Sequence, residues 1–289
     1  MKKILVAVDF SSCSRRAFQN AVSIARAFDA DLHVVHVVPE MSDYLNPSAA
    51  ILPIRPGASG LERQVSQLIL DEFKGSAEEF ARIDKAILEG TAWLEILKEA
   101  NRAGASLIIM GTHGRSAIGR AVLGSVSDRV LHNSPLPVLC VPETGQAQPE
   151  SMLVCVDDDS AATETLLCAA GIWRAALNAR MTILRVLEVA ETPELYDLPE
   201  DVREDLNLAG WEEQIRQSMV WTASRLFGGE TAPSIEILHG PAPREICRRL
   251  EEGEFDLCVL GSARDAGAPL GRTAMRVVHR CPCSVLVVP

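Results

Sequence analysis

No stretch of this sequence stays apolar for the roughly 18–20 residues that a membrane-spanning helix needs. The opening, Met1-Lys2-Lys3-Ile4-Leu5-Val6-Ala7-Val8-Asp9, lacks a separate apolar h-region and a small-residue cleavage site, so it reads as a strand and not as a signal peptide. The expectation is a cytoplasmic protein. Basic charge is also scarce, with 28 Lys and Arg against 39 Asp and Glu, a formal net charge of -11. Nucleic acids and anionic membrane surfaces attract clustered Lys and Arg, so neither is expected as a partner. A small anion is still allowed, because main-chain N–H groups and a helix terminus can hold one locally whatever the global charge. Cysteines at zinc-like spacing are missing too. Of the 8 Cys, only Cys281-Pro282-Cys283 forms a close pair, and no second Cys/His pair accompanies it. The others sit mostly in apolar runs, such as Cys258 within Phe255–Leu260, and read as small buried hydrophobes in a reducing compartment.

What is present is enough for two ordinary domains: 289 residues, 47% apolar and 23% charged. The halves resemble each other. Ile4-Leu5-Val6-Ala7-Val8-Asp9 matches Met152-Leu153-Val154-Cys155-Val156-Asp157, and Leu88-Glu89-Gly90 with Ile96 matches Leu238-His239-Gly240 with Ile246. Leu107–Gly111 matches Leu257–Gly261, and Pro137–Pro142 matches Ser284–Pro289. Four matches in one order define a whole-domain repeat, far longer than a solenoid unit. Each half alternates short apolar runs with helical periodicity. In the first half the patterns predict strands over 3–9, 31–38, 83–89, 105–111 and 136–142, and helices over 12–28, 61–81, 91–103 and 118–132. Strands this continuously apolar are covered by helices on both faces. The fold class is therefore α/β, two tandem doubly wound parallel five-stranded sheets of Rossmann-like type. The polar segment 143–150 reads as a linker, and longer Pro-punctuated loops fall near 39–60 and 190–209.

In such a sheet, ligands bind beyond the carboxyl ends of the strands where strand order reverses. Asp9 ends the first strand and Gly111 the fourth, and Gly111-Thr112-His113-Gly114-Arg115 opens a loop that closes on Gly124-Ser125 before a helix, the pattern G-x2-G-x9-G-S. Glycines let main chain approach a ligand closely, successive N–H groups can surround phosphate oxygens, and a serine hydroxyl adds a donor. In the second half this loop reads Gly261-Ser262-Ala263-Arg264-Asp265-Ala266-Gly267-Ala268-Pro269-Leu270-Gly271-Arg272. The displacement between the halves falls from 150 to 147 across it, so three residues are missing. Arg264 stands where the first half has Gly114, and Arg272 where it has Ser125.

These residues closely resemble the universal stress protein family. The similarity covers nearly the whole chain as two tandem copies. It includes the opening VAVDFS, the HVV of the second strand, GTHG, the spaced GS and the closing PVLCVP. The resemblance implies the adenine nucleotide alpha hydrolase-like fold of that family, and ATP as the ligand where the loop is complete. Carried over by position, Ala7, Asp9 and Val37 would border the adenine, and Met110 and Gly111 would lie by the base and ribose. Gly114, Gly124, Ser125 and Val126 would hold the phosphates, with His113 and Arg115 in the same loop. Mg2+ would be bound mainly through the phosphates. Asp9 also reads as a helix-capping acid ahead of Ser11 and Ser12. The expected domains are 1–143 with an intact ATP-binding loop and 150–289 with a degenerate one.

The resemblance implies a nucleotide-dependent stress-response or signalling protein. A slow ATPase or adenylate-processing enzyme is one alternative. Phosphoryl transfer needs a positioned nucleophile and strong charge neutralisation; the loop offers His113 as its only ionisable base, with Arg115 and Arg120 as cations, and there is no GxxxxGK[ST]. At most weak ATP hydrolysis is expected. A non-nucleotide interaction scaffold is the other alternative. In the family the fifth strands pair across a two-fold axis, so Val138–Val141 and Val285–Val288 are expected to pair within the chain as a pseudo-dimer. A homodimer of four domains is compatible with that.

Overall fold

The structure is a computed structural model and describes residues 1–38, 58–72, 79, 81–113, 123–157, 160–188, 208–228, 232–262 and 270–289. The first half contributes β1 (Lys3–Ala7), α1 (Ser12–Phe28), β2 (Asp31–Val38), α2 (Ala58–Glu72), β3 (Ile83–Glu89), α3 (Ala92–Arg102), β4 (Leu107–Gly111), α4 (Ser125–Asn133) and β5 (Val138–Val141). The second half repeats the order. Its elements are β6 (Ser151–Val156), α5 (Ala161–Leu177), β7 (Arg180–Leu187), α6 (Leu208–Phe227), β8 (Ser234–His239), α7 (Ala242–Glu251), β9 (Leu257–Gly261), α8 (Arg272–Arg280) and β10 (Ser284–Val288).

All strands within a half run parallel, in the order β3-β2-β1-β4-β5 and its repeat β8-β7-β6-β9-β10. The expected doubly wound sheets are present, and they join. β5 and β10 pair antiparallel, with Val138 opposite Val287, Leu139 opposite Leu286 and Cys140 opposite Val285. Ten strands thus form one sheet, and each half removes the other's exposed edge. Alternation along the seam sends Leu139 and Leu286 to one face, and their neighbours Val138, Cys140, Val285 and Val287 to the other. The polar segment between the halves is pinned as well: Thr144 Oγ1 donates to Pro282 O at 3.0 Å, and Gly145 N to Pro142 O at 3.0 Å. On one face Phe28 of α1 meets Trp173 of α5 edge-on, ring centroids 5.3 Å apart, so helices as well as strands bridge the halves.

Local chemistry explains the elements. Ser11 caps α1 by accepting from Ser14 N at 3.2 Å, and Ser160 caps α5 by accepting from Thr163 N at 3.4 Å. The same two helices end in left-handed residues, Asp29 at φ 49° and Asn178 at φ 52°, residue types that tolerate this conformation. The helix predicted over 118–132 differs: Leu123 and Gly124 are not helical, and α4 begins at Ser125. Gly124 N donates to Thr112 O at 2.8 Å, a bond that pulls the chain back toward β4 and delays the helix. Ile118 and Val122, which extended that periodicity, lie outside the described residues, as do the two long loops for most of their length.

A buried polar pair fastens α3 to the sheet. His33 Nε2 on β2 lies 2.7 Å from Glu99 Oε1, both nearly inaccessible, and Arg102 one turn on forks onto the same carboxylate at 2.6 and 2.5 Å. The hydrogen bonds from Arg102, with that of His33, outweigh burial and hold Glu99 below the usual carboxylate range. A carboxyl depressed in the folded state contributes stability at neutral pH and loses it as pH falls through its folded value. Glu99→Gln is therefore expected to cost about 1–3 kcal/mol at pH 7. The gap to the unmodified protein should stay constant down to about pH 5 and shrink below about pH 4. Urea unfolding across that range reads both quantities, and a gap independent of pH would refute the role given to the ionised carboxylate.

Candidate functional site

Strand order turns back between β1 and β4, where Ala7 is in register with Met110 and β1 and β4 lead to helices on opposite faces. The crevice at their carboxyl ends is the place where a doubly wound sheet receives a ligand. Its floor is apolar. Ala7 at the end of β1, Val37 near the end of β2 and Val126 in the first turn of α4 are partly buried and pack on one core cluster, which includes Met110. Met110 itself is buried beneath them at 4% exposure.

Above the floor, the segment after β1 is tightly organised. Asp9 Oδ1 accepts from Ser11 N at 3.0 Å and from Ser11 Oγ at 2.6 Å, and Asp9 N faces Ser14 Oγ at 3.3 Å. The cap of α1 is thus Ser11 itself, and Asp9 acts one step back, fixing the serine that caps. Between them Phe10 sits at φ 65°, a conformation that costs a bulky residue about 1–2 kcal/mol. Its ring rests against His36 of β2, centroids 4.7 Å apart, and His36 Nδ1 meets Val8 O at 2.7 Å. Strain held by surrounding contacts at the mouth of a crevice is a feature of sites that position a ligand.

The β4 side is built on close approach. A Cβ on Gly111 would lie 2.8 Å from Cys13 Cβ and 3.0 Å from the Cys13 carbonyl carbon, so glycine lets the first turn of α1 abut the end of β4. Ser127 Oγ donates to Gly111 O at 2.8 Å, and Thr112 N to Val141 O at 3.0 Å. His113 follows, its Nδ1 2.7 Å from Thr112 Oγ1, while its Nε2 is buried without a hydrogen-bond partner among the described residues. Ser11 Oγ, 3.4 Å from His113 O, joins the β1 and β4 sides. Gly124 N returns to Thr112 O, and α4 starts with no side-chain cap at Gly124. The uncapped N–H groups of its first turn, those of Ser125 and Val126 among them, are suited to an anion.

The structure therefore brings Ala7, Asp9, Val37, Met110, Gly111, His113, Gly124, Ser125 and Val126 to one crevice. Gly114 and Arg115 lie outside the described residues. Sequence reading missed Phe10, Ser11, His36, Thr112 and Ser127. The run HVVHVV did place His36 near a strand end, a polar residue in an apolar run, whereas nothing in the sequence announces a left-handed Phe10.

The second half has the same frame with altered details. Gly271 N donates to Ser262 O at 3.0 Å as Gly124 does to Thr112, but across nine positions of chain instead of twelve. Arg272 opens α8 in place of Ser125. Among the described residues, a Cβ on Gly261 would find nothing nearer than a Leu166 methyl at 3.9 Å, so the close helix approach at Gly111 has no counterpart among them.

A doubly wound α/β protein with a switch-point crevice, duplicated within one chain and joined edge to edge, is the class so defined. The family model described as universal stress protein family matches residues 1–142 and again 150–289. The chain belongs to the universal stress protein family. A curated universal stress protein of Methanocaldococcus jannaschii is 36% identical over 142 residues, covering 48% of this chain and 81% of the relative. One of Thermus aquaticus is 35% identical over 145 residues, covering 48% and 98%. Among solved structures, a universal stress protein from Archaeoglobus fulgidus superposes with a TM-score of 0.64 at 20% identity, covering 99% of this chain and 97% of its own. A functionally unknown protein from Pseudomonas aeruginosa superposes at 0.67 and 18% identity, covering 100% and 92%. The last two establish a shared fold over both halves.

Proposed function

We propose that this universal stress protein binds ATP in the first-half crevice and uses its occupancy as a signal in a stress response, the second half having lost that capacity. The observation that carries the reading is the loop closure at Thr112 and Gly124, which delivers the uncapped first turn of α4 to the switch point beside an apolar floor. The adenine would lie on Ala7 and Val37 near Asp9, with the main chain around Gly111 beside base and ribose. The amides of Gly124, Ser125 and Val126 would take phosphate oxygens, with His113, Gly114 and Arg115 in the same loop. The Nε2 of His113, buried and without a partner among the described residues, is a polar atom of the kind a bound ligand satisfies. Among the described residues no group of three or more His, Cys, Asp or Glu is arranged to hold a metal, so Mg2+ would depend on the phosphates themselves.

No helix among the described residues is long and apolar enough to cross a membrane. A cytoplasmic location is part of the same proposal, and the net charge of -11 disfavours the clustered basic surface that a nucleic acid or an anionic membrane attracts. In the second half the shorter loop closure and Arg272 support loss of the phosphate cradle. A homodimer of the joined chain is part of the same proposal. Turnover is expected to be weak at most, because His113 is the only ionisable base in the loop, where phosphoryl transfer needs strong charge neutralisation around a placed nucleophile.

Gly124 at φ -65° and ψ 146° occupies backbone space open to any residue, so Gly124→Val should fold normally. By bringing a branched side chain to the phosphates, it should weaken ATP binding at least about tenfold, near 1.4 kcal/mol. Gly271→Val should leave binding unchanged. Calorimetric titration of both variants is the test, together with mass spectrometry of nucleotide released on denaturation. Released ADP or AMP instead of ATP would favour an enzyme. Normal affinity in Gly124→Val, or loss in Gly271→Val, would overturn the site.

A further inference from the structure

Five of the eight cysteines gather on one face of the second half's sheet: Cys155 on β6, Cys247 on α7, Cys258 on β9, and Cys281 and Cys283 between α8 and β10. The first half has Ala7, Leu97, Ile108, Ser134 and Leu136 at the corresponding positions, so the fold does not require sulfur there. All five are free thiols. The described residues include no cluster shaped for a metal ion, which leaves chemistry between sulfurs. Two pairs are close. Cys155 and Cys258 are 4.0 Å apart, both buried within the sheet. Cys281 and Cys283 are 3.3 Å apart, and Cys281 is partly open to solvent while Cys283 is buried.

We propose that Cys281 and Cys283 form a peroxide-reactive dithiol that closes to a disulfide across Pro282. The turn is already shaped for it. In the first half Ser134 Oγ donates to Leu136 O at 2.8 Å and accepts from Leu136 N at 3.0 Å, so the side chain at the first position folds over the residue two places on. Cys281 occupies the same position in the second half, and its sulfur likewise lies over the residue two places on, 3.3 Å from the sulfur of Cys283. The main chain is held on both sides, by Cys281 N donating to Val277 O at 2.8 Å and Thr144 Oγ1 donating to Pro282 O at 3.0 Å. Shortening the sulfur separation to the roughly 2.05 Å of a disulfide is then a local side-chain movement.

The oxidant is a hydroperoxide, and the step balances as two thiols and one hydrogen peroxide giving one disulfide and two waters. Cys281, deprotonated, attacks one peroxide oxygen; the O–O bond breaks, and the sulfur becomes a sulfenic acid as the leaving hydroxide is protonated to water. The Cys283 sulfur then attacks the Cys281 sulfur, the S–O bond breaks, and the expelled hydroxide takes the Cys283 proton as the second water. Sulfur is oxidised and peroxide oxygen reduced. The hydrogen bond with Cys283 and then burial push the Cys281 thiol well above its ordinary range, with Glu251 of α7 adding to them and the Cys283 N–H opposing; Cys247, Cys258 and the adjacent Arg280 are the other ionisable groups around the pair. Because the thiolate is the nucleophile, closure should be slow at neutral pH and accelerate about tenfold per pH unit. The pair is suited to recording sustained peroxide, not to scavenging it.

The sequence supplies a convenient assay. Cleavage after Arg280 releases Cys281–Pro289, a peptide with these two cysteines alone. Native protein is exposed to hydrogen peroxide, denatured with iodoacetamide, cut with trypsin and weighed. The expected peptide is unalkylated and lighter by two hydrogens than the reduced one, and dithiothreitol before alkylation restores the doubly alkylated form. Cys281→Ser, which installs the residue the first half carries at this turn, should keep its melting temperature and yield no disulfide at 283. A doubly alkylated peptide after peroxide, a cross-link from Cys281 to Cys247, or irreversible sulfonic acid at Cys281 would overturn the proposal.

Discussion

Truncation of Leu139 or Leu286 to Ala is expected to destabilise the protein by about 2–5 kcal/mol each, the range for a fully buried leucine that leaves a cavity. These two residues are each other's counterparts in the repeat, stand directly opposite across the β5–β10 seam, and are both fully buried in the same cluster. Each forms the wall of the cavity the other would leave, so the double variant should depart from additivity by about 0.5–3 kcal/mol. The seam is also where the halves become one cooperative unit, so the double variant should unfold in two steps where the unmodified chain unfolds in one. Urea unfolding followed by far-UV dichroism counts the transitions, and the midpoints of the two single variants and the double variant give the coupling. Strict additivity and a single transition in the double variant would mean that the halves are coupled elsewhere, for instance through Phe28 and Trp173.

Gly111→Ala should cost about 1–3 kcal/mol, whereas Gly261→Ala should fall within about 0.5 kcal/mol of the unmodified protein. The two glycines end equivalent strands, but the added carbon at 111 meets Cys13 Cβ at 2.8 Å and its carbonyl carbon at 3.0 Å. Main chain cannot step aside as a side-chain tip can, so α1 and β4 must separate. Among the described residues the same carbon at 261 meets only a Leu166 methyl, at ordinary contact distance. Equal shifts of the urea midpoint in the two variants would refute this account of Gly111. A nucleotide titration of Gly111→Ala would further show how far the crevice tolerates movement of α1.

The architecture was legible because it is written in periodicity. Continuous apolar runs ending at Asp9 and Gly111, repeated about 150 residues on, demand a parallel sheet covered on both faces, and the apolar Val138–Val141 and Val285–Val288 demand partners. The spacing of Ile118, Val122, Val126 and Val130 fits one continuous helix, while the bond from Gly124 to Thr112 that holds Leu123 and Gly124 out of α4 joins residues twelve apart. The crevice was legible in its glycines and in Asp9, but their reasons were not. Gly111 answers to Cys13, nearly a hundred positions away, and Phe10 is held left-handed by a histidine on the next strand. His33 and Glu99 are each unremarkable in sequence and meet only when α3 packs on β2. Tertiary contacts of this kind leave no local pattern.

Because β10 runs opposite to β5, every strand of one half points against every strand of the other. The mouths at the carboxyl ends of β1 and β4, and of β6 and β9, therefore open toward opposite poles of the molecule. No single ligand or partner domain of modest size can plug both. Whatever one mouth reports to the other has to cross the joined core, through the paired leucines of the sheet or through the Phe28–Trp173 contact between α1 and α5.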